Sequence, residues 1–231
     1  MSSSSSSRAD VVSPGRGAFV SLELPWRTAF DRAWLSAQNG SVPVGAVVTT
    51  ADGTVIASGR ARSMEKSGPL GVLFNTTIAH AEINALAALP PTLPPKSYQD
   101  HTIWVTLQPC LQCIGAIVVA RVGAIHFAGG DALWKGIERL PDMNAFVASR
   151  WPESVGPRND QFGVLGQLLP LLFYRRRYPE GASMTIHRQQ APAVAALADE
   201  LVSSGEYVRL LERELPDAVD DLWSRLSNCL P

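Results

Sequence analysis

Apolar positions recur along this chain with two different periods, and the switches between them outline a fold. From Pro25 to Gly40, Trp26, Ala29, Phe30, Ala33, Trp34 and Ala37 fall at helical spacing on one face, and Asn39-Gly40 supplies a C-terminal stop. Val42 to Thr50 is a nearly unbroken apolar strand, which Asp52-Gly53 turns into a second strand, Thr54 to Ser58. Helical spacing returns at Ala79, Ile83, Leu86 and Leu89, with Thr76 or Thr77 near the cap and Pro90-Pro91 as the stop. Thr102 to Leu107 is β-branched and aromatic, hence a strand, and Pro109 is suited to opening a helix from Cys110 to Ala120. Gly123 to Ala128 is a further strand, reached by one tight connection, which predicts a parallel, right-handed crossover. A hairpin followed by helix, strand, helix, strand makes a mixed sheet with helices on its faces.

The remaining sequence is less periodic. Residues 1 to 18 hold six consecutive serines and then Pro, Gly and Arg, too little apolar surface to order a chain, so a disordered tail is expected. That tail lacks the apolar core of a secretory signal, and no stretch elsewhere reads as a membrane span. Residues 141 to 160 read as a loop, and Phe162 to Tyr174 as an apolar segment broken by Pro170. Arg175-Arg176-Arg177 reads either as a solvated helix end or as a phosphate contact. Ala191 to Leu230 predicts two or three amphipathic helices carrying eight acidic residues against three arginines, a face that would repel RNA.

Composition narrows the classes. The chain of 231 residues is 46% hydrophobic with net charge −1, enough for one core and a small appendage, and without a global basic field to attract nucleic acid. Three cysteines give no disulfide framework, which suits a reducing cytosol, so a cytoplasmic location is expected.

Two of those cysteines belong to the chemistry. His80-Ala81-Glu82 and Pro109-Cys110-Leu111-Gln112-Cys113 each sit at an expected helix start. One histidine and two cysteines can supply three ligands to a zinc ion and leave its fourth position for water, the arrangement of a catalytic site. Cys110 and Cys113, three apart, share one helical face, and a helix N-terminus favours thiolate. A bound ion lowers the pKa of its water to about 7, and Glu82 beside it can take that proton and pass it to a leaving nitrogen. A redox Cys-x-x-Cys is the rival reading, but it accounts for neither His80-Ala81-Glu82 nor the strand before Pro109.

Taken together, Val42-Pro43-Val44-Gly45-Ala46-Val47, Ala79-His80-Ala81-Glu82, Thr106-Leu107-Gln108-Pro109-Cys110-Leu111-Gln112-Cys113-Ile114-Gly115-Ala116 and Arg121-Val122-Gly123 resemble the cytidine deaminase-like superfamily. The resemblance is greatest to the branch of bacterial tRNA adenosine deaminases, guanine deaminases and yeast-type cytosine deaminases. It covers about residues 24 to 140. It implies an α/β fold, a three-layer α/β/α sandwich on a mixed five-stranded sheet, to which a mostly helical C-terminal extension is added. It also implies Zn2+ on His80, Cys110 and Cys113, Glu82 as catalytic proton shuttle, and a homodimer or higher oligomer. The domains expected are a tail at 1–18, the catalytic domain at 19–140 and the extension at 141–231, covering the pocket or an oligomer face.

Substrate contacts are expected at Ala81, at Val44 on the pocket floor, and at Asp131 and Trp134 in the loop that borders the substrate in relatives. For Val44, core packing is the competing reading. His101 is expected in solvent, His126 in the core and His187 outside the family core. This chain departs from the branch at Gln108, where Glu is usual, and at Gly59-Arg60-Ala61-Arg62, where relatives carry a base-binding Asn. The expected reaction is hydrolytic deamination of a free nucleobase, nucleoside or related small heterocycle. The alternatives are a tRNA adenosine deaminase, and a binding module that keeps zinc only as a structural staple.

Overall fold

Strands rich in β-branched residues pair as their alternation requires. In the computed structural model, which describes residues 13–90 and 98–230, the core of the fold is a five-stranded sheet ordered β2-β1-β3-β4-β5. Its strands are β1 (Gly45–Thr49), β2 (Val55–Arg60), β3 (Thr102–Leu107), β4 (Ala124–Gly129) and β5 (Glu153–Val155). β1 runs antiparallel to β2 and β3, whereas β4 runs parallel to β3 and β5, so the sheet is mixed. The helices of the first half are α1 (Pro14–Val20), α2 (Leu24–Gln38), α3 (Ala81–Ala87) and α4 (Leu111–Ala120). After β4 come two 3-10 turns, then α5 (Leu140–Met143), α6 (Ala145–Ala148) and, beyond β5, α7 (Gln161–Arg177). The chain ends with α8 (Ala182–Gln190), α9 (Pro192–Ser203), α10 (Glu206–Leu210) and α11 (Leu215–Ser227).

The period of two assigns the faces of the sheet. Ala46, Val48, Ile103, Val105 and Ile125 point to one side, where Ala81 and Ala85 of α3 and Ile114 and Ile117 of α4 cover them. Trp104 and Ala128 point to the other, against Trp26 and Phe30 of α2 and Leu165 and Leu168 of α7. The sandwich therefore has three layers, and the helix pair bearing the two sequence motifs lies on one face. Gly59 sets how closely α3 approaches: a Cβ there would overlap the Ala81 carbonyl oxygen and the Ala85 nitrogen.

The C-terminal helices share the core of the second face. Trp26, Phe30 and Trp34 of α2 pack in one apolar cluster with residues of α7, α9 and α11, and the Trp34 indole N–H donates to the Arg213 carbonyl at 3.0 Å. Within the basic run, Arg175 pairs with Asp199, while Arg176 and Arg177 are exposed in the last turn of α7, where cations suit the helix dipole.

Several expectations are corrected. Pro170 does not break its segment; it lies inside the continuous α7. A proline in a helix interior costs about 3 kcal/mol. Leu165, Leu168, Leu169, Leu171 and Leu172 are each at most 1% exposed, and burying one leucine contributes about 1.5–3 kcal/mol, so two of them offset it. The expected disordered tail is overturned from Pro14 onward. Residues 1–12 lie outside the described residues, but Pro14 to Val20 form α1 because Phe19 is buried in the second-face cluster and Asp220 accepts the Gly15 N–H at 3.0 Å. The expected loop at 141–160 contains α5, α6 and the edge strand β5, whose three residues are all exposed and so carry no hydrophobic signal. Among the described residues no helix is long and apolar enough to cross a membrane.

Gly166 brings α7 onto the sheet, since a Cβ there would overlap the Thr106 carbonyl oxygen and the Gly129 nitrogen. Alanine normally gains about 0.5–1 kcal/mol over glycine within a helix. Overpacking of this kind costs about 1–3 kcal/mol, so Gly166→Ala is expected to destabilise on balance. Urea unfolding checks this: a midpoint at or above that of wild type would show that the contact is not tight.

Candidate active site and metal centre

Both motif helices begin one residue later than their first motif side chain. His80 is the N-cap of α3 and Cys110 the N-cap of α4, each in extended backbone and neither using its side chain to cap. The sequence expectation of a cap at Thr76 or Thr77 fails because the Ala79 carbonyl is tied to the Arg62 N–H at 2.9 Å, which holds the preceding residues out of helical geometry. Cys110 and Cys113 thus occupy the N-cap and N3 positions, whose side chains face each other in any capped helix. The positive end of α4 lies at both sulfurs.

The donors converge. Cys110 Sγ lies 3.5 Å from His80 Nδ1 and 3.5 Å from Cys113 Sγ, and Cys113 Sγ lies 3.3 Å from His80 Nδ1. A tetrahedral zinc ion with bonds of about 2.3 Å to sulfur and about 2.0 Å to nitrogen would space its ligand atoms at about 3.5–3.8 Å, so this donor set fits zinc. A hydrogen bond from Cys113 pulls Cys110 down to about 4, and the same contact, together with burial, pushes Cys113 above the usual thiol range. The Cys110 thiolate holds His80 above its usual range against the opposing effect of burial. Glu82, at 4% exposure, is pushed up by burial and opposed by His80.

Above the donors lies a pocket of about 170 Å³. All of the sequence-predicted site residues but Cys113, which is buried beneath, line it: His80, Ala81, Glu82, Cys110, Val44, Asp131 and Trp134. Ala61, within the stretch Gly59-Arg60-Ala61-Arg62 where the resemblance leads one to look for an Asn, lines it too, as does Gln108. Gln108 pins the loop beyond β4, its Oε1 accepting the Asp131 N–H at 3.1 Å.

Other lining residues were not anticipated. Ser63 follows the departure at Ala61, and Tyr174 comes from α7, well beyond the family-like region. Burial, with the Asp131 carboxylate nearby, pushes the Tyr174 hydroxyl up to about 12. His187 also gains a role. It shares the buried face of α8 with Met184, and its Nε2 lies 3.5 Å from Asp131 Oδ1. A lone histidine at i+3 from a methionine on an amphipathic helix was the available signal. His126 and His101 do not line the pocket: His126 packs edge-on to Trp104 with ring centroids at 4.3 Å, and His101 is half-buried against Tyr98 rather than in open solvent.

Residues 22–128 match the family described as the cytidine and deoxycytidylate deaminase zinc-binding region. A cytosine deaminase of Candida albicans is 34% identical over 149 residues, covering 56% of this chain and 93% of the relative. The chain belongs to the cytidine deaminase-like superfamily. A tRNA-specific adenosine deaminase of Rickettsia bellii is 29% identical over 128 residues, covering 55% of this chain and 83% of that protein. A tRNA(Ile)-lysidine synthase of Deinococcus radiodurans is 36% identical over 142 residues, covering 58% of this chain but only 22% of that protein. The zinc-binding deaminase domain is thus established, and relatives of different substrate class share it.

In this superfamily member the Asp131–His187 pair is open to direct measurement. Burial alone lowers a histidine pKa, but the Asp131 carboxylate and the Ser183 carbonyl outweigh it, so His187 sits above its ordinary 6.5. A raised folded-state pKa gives stability that is fully present below the unfolded value and lost as pH rises through the folded one. NMR titration of the His187 ring is expected to give a midpoint above 6.5 that falls on Asp131→Asn. An unmoved midpoint would mean that the pair does not interact.

Proposed function

We propose that this chain is a zinc-dependent hydrolytic deaminase of a free nucleobase, nucleoside or related small heterocycle, with Glu82 as proton carrier and His80, Cys110 and Cys113 as metal ligands. The observation that carries the substrate class is the pocket. At about 170 Å³ it lies below the roughly 300–1,000 Å³ typical of drug-sized ligands, and among the described residues no lysine or arginine lines it. A phosphate would find no partner there. The nearby Arg60 and Arg62 are both committed to Glu65, at 2.9 Å from Arg60 Nη2 and 2.7 Å from Arg62 Nη1.

His80, Cys110 and Cys113 would hold the zinc ion, which would supply Lewis-acid activation of a water. Glu82 accepts the proton that water loses and delivers it to the ring nitrogen beside the reacting carbon, then takes the proton of the new hydroxyl as the C=O forms and delivers it to the departing amine. One C–O bond forms, one C–N bond breaks, ammonia leaves and the carboxylate is regenerated. Ala81 and Val44 provide apolar walls, and Trp134 and Tyr174 provide ring faces against which a flat heterocycle can rest.

Two measurements test this. Positioned acid–base groups contribute about 10²–10⁴-fold, so Glu82→Ala is expected to keep zinc by elemental analysis while losing activity by at least that factor. Cys110→Ala is expected to lose both zinc and activity. A Glu82→Ala protein as active as wild type removes the mechanism.

Ammonia release by the zinc-loaded chain over bases, nucleosides and aminated heterocycles, run beside transcribed tRNA, is expected to favour the small molecules. Tight, salt-sensitive retention of tRNA on filters with inosine formation would instead assign the chain to tRNA adenosine deamination. A chain that binds zinc and releases no ammonia from any of these would be the non-catalytic module.

A further inference from the structure

Among the described residues no asparagine lines the pocket, so another group is needed to recognise a ring. Ala61 offers no side-chain hydrogen bond, and Gln108 spends its carbonyl oxygen on the Asp131 N–H. Asp131 is the remaining strong candidate on the wall. Its Oδ1 accepts the Leu133 N–H at 2.9 Å and faces His187 Nε2 at 3.5 Å, whereas Oδ2 accepts no hydrogen bond among the described residues. A carboxylate is an acceptor only, and a polar group 8% exposed is expected to find a partner, so a ligand in this pocket must bring a donor.

His187 determines where that acceptor points. Its Nδ1 donates to the Ser183 carbonyl at 2.8 Å, one turn earlier on α8, so Nε2 can approach a carboxylate favourably only if it too carries a proton. The ring is then an imidazolium pinned at both ends, and the pair with Asp131 is internally neutral. His187 does not line the 170 Å³ pocket; it borders the shallower hollow on the far side of Asp131, together with Gln167 and Gln190. It stands behind Asp131, outside the reach of a bound ring.

We propose that Asp131, held in place by His187 of the C-terminal segment, is the specificity determinant of the pocket and selects heterocycles that present an amino N–H to it. The proposal rests on the small-molecule reading above and narrows it to rings that present an N–H to Asp131 in addition to the amine that leaves. His187 is a positioning residue: it acts on substrate only through Asp131. The C-terminal segment thereby belongs to the substrate site, contributing the Tyr174 wall as well as this support.

The test is equilibrium binding, which needs no turnover. Isothermal titration of the full-length, zinc-loaded chain is run with isocytosine and with uracil, which differ by an amino group against an oxygen at ring position 2. Wild type is expected to bind isocytosine at least tenfold more tightly. Asp131→Asn, close to isosteric, is expected to erase that preference. His187→Leu is expected to erase it too, and His187→Gln, whose amide can present an N–H where Nε2 lies, to restore most of it. Unchanged zinc content and a thermal midpoint near wild type in Asp131→Asn and His187→Gln exclude misfolding as the cause.

Wild type that binds both rings alike, or neither, overturns the proposal, and so does a preference that survives Asp131→Asn. Failure of the hydrolytic reading would look different. A chain that shows the preference yet releases no ammonia keeps the recognition inference and loses the reaction. A chain that deaminates through Glu82 but discriminates the two rings without Asp131 does the reverse.

Discussion

The geometry of this molecule depends on two helices starting at the same point in space. His80 and Cys110 are N-cap residues, and a cap residue's side chain is free to leave the helix axis, unlike one within the first turn. What makes the two caps meet is the sheet beneath. The Ala79 carbonyl is tied to the Arg62 N–H just past β2, and Cys110 lies three residues beyond the end of β3, whose neighbour in the sheet, β1, also pairs with β2. A group of two thiols, an imidazole and a carboxyl, with Cys113 wholly buried, is unfavourable unless charges are matched or a cation is shared. Strand pairing and the glycine contact at Gly59 hold it in place.

The second-face helices matter because α7 supplies part of the pocket wall. The matched family region ends at residue 128, but Asp131, Leu133, Trp134 and Tyr174 all line the pocket. Tyr174 reaches it because α7 lies directly on β3 and β4, a closeness that depends on the bare backbone of Gly166. The burial that carries α7 past Pro170 therefore also closes the pocket. Packing and recognition are two consequences of the same helix.

Those relationships explain what could be read from the chain in advance. The strand at Thr102 to Leu107, the helix of Trp26, Phe30 and Trp34, and the metal donors were legible because their signals are local: a period, a stop, a spacing. Boundaries failed where a long-range contact decided them, as at Ala79, held by Arg62. Pro170 misled because a local penalty was outweighed by burial that only the fold supplies. Tyr174 and His187 were missed as site residues because nothing near them in sequence announces the pocket; their partners lie about forty or more residues away, at positions 107 to 134. Exposed β5 had no hydrophobic pattern to show.

A carboxylate rather than an amide as the proposed ring contact would set the kind of discrimination this superfamily member can exercise. An amide offers a donor and an acceptor and tolerates several ring edges, whereas a carboxylate offers acceptors alone. A ring that presents oxygen to Asp131 would set two acceptors against each other in a pocket largely shielded from water, and the cost would not be screened as it is at a surface. Sites built around a substrate N–H can reject analogues lacking it by as much as about 10⁴–10⁵, far beyond what pocket volume alone achieves. Such rejection requires that the carboxylate not swing away. A cationic ring behind it, anchored at its other nitrogen, opposes that movement.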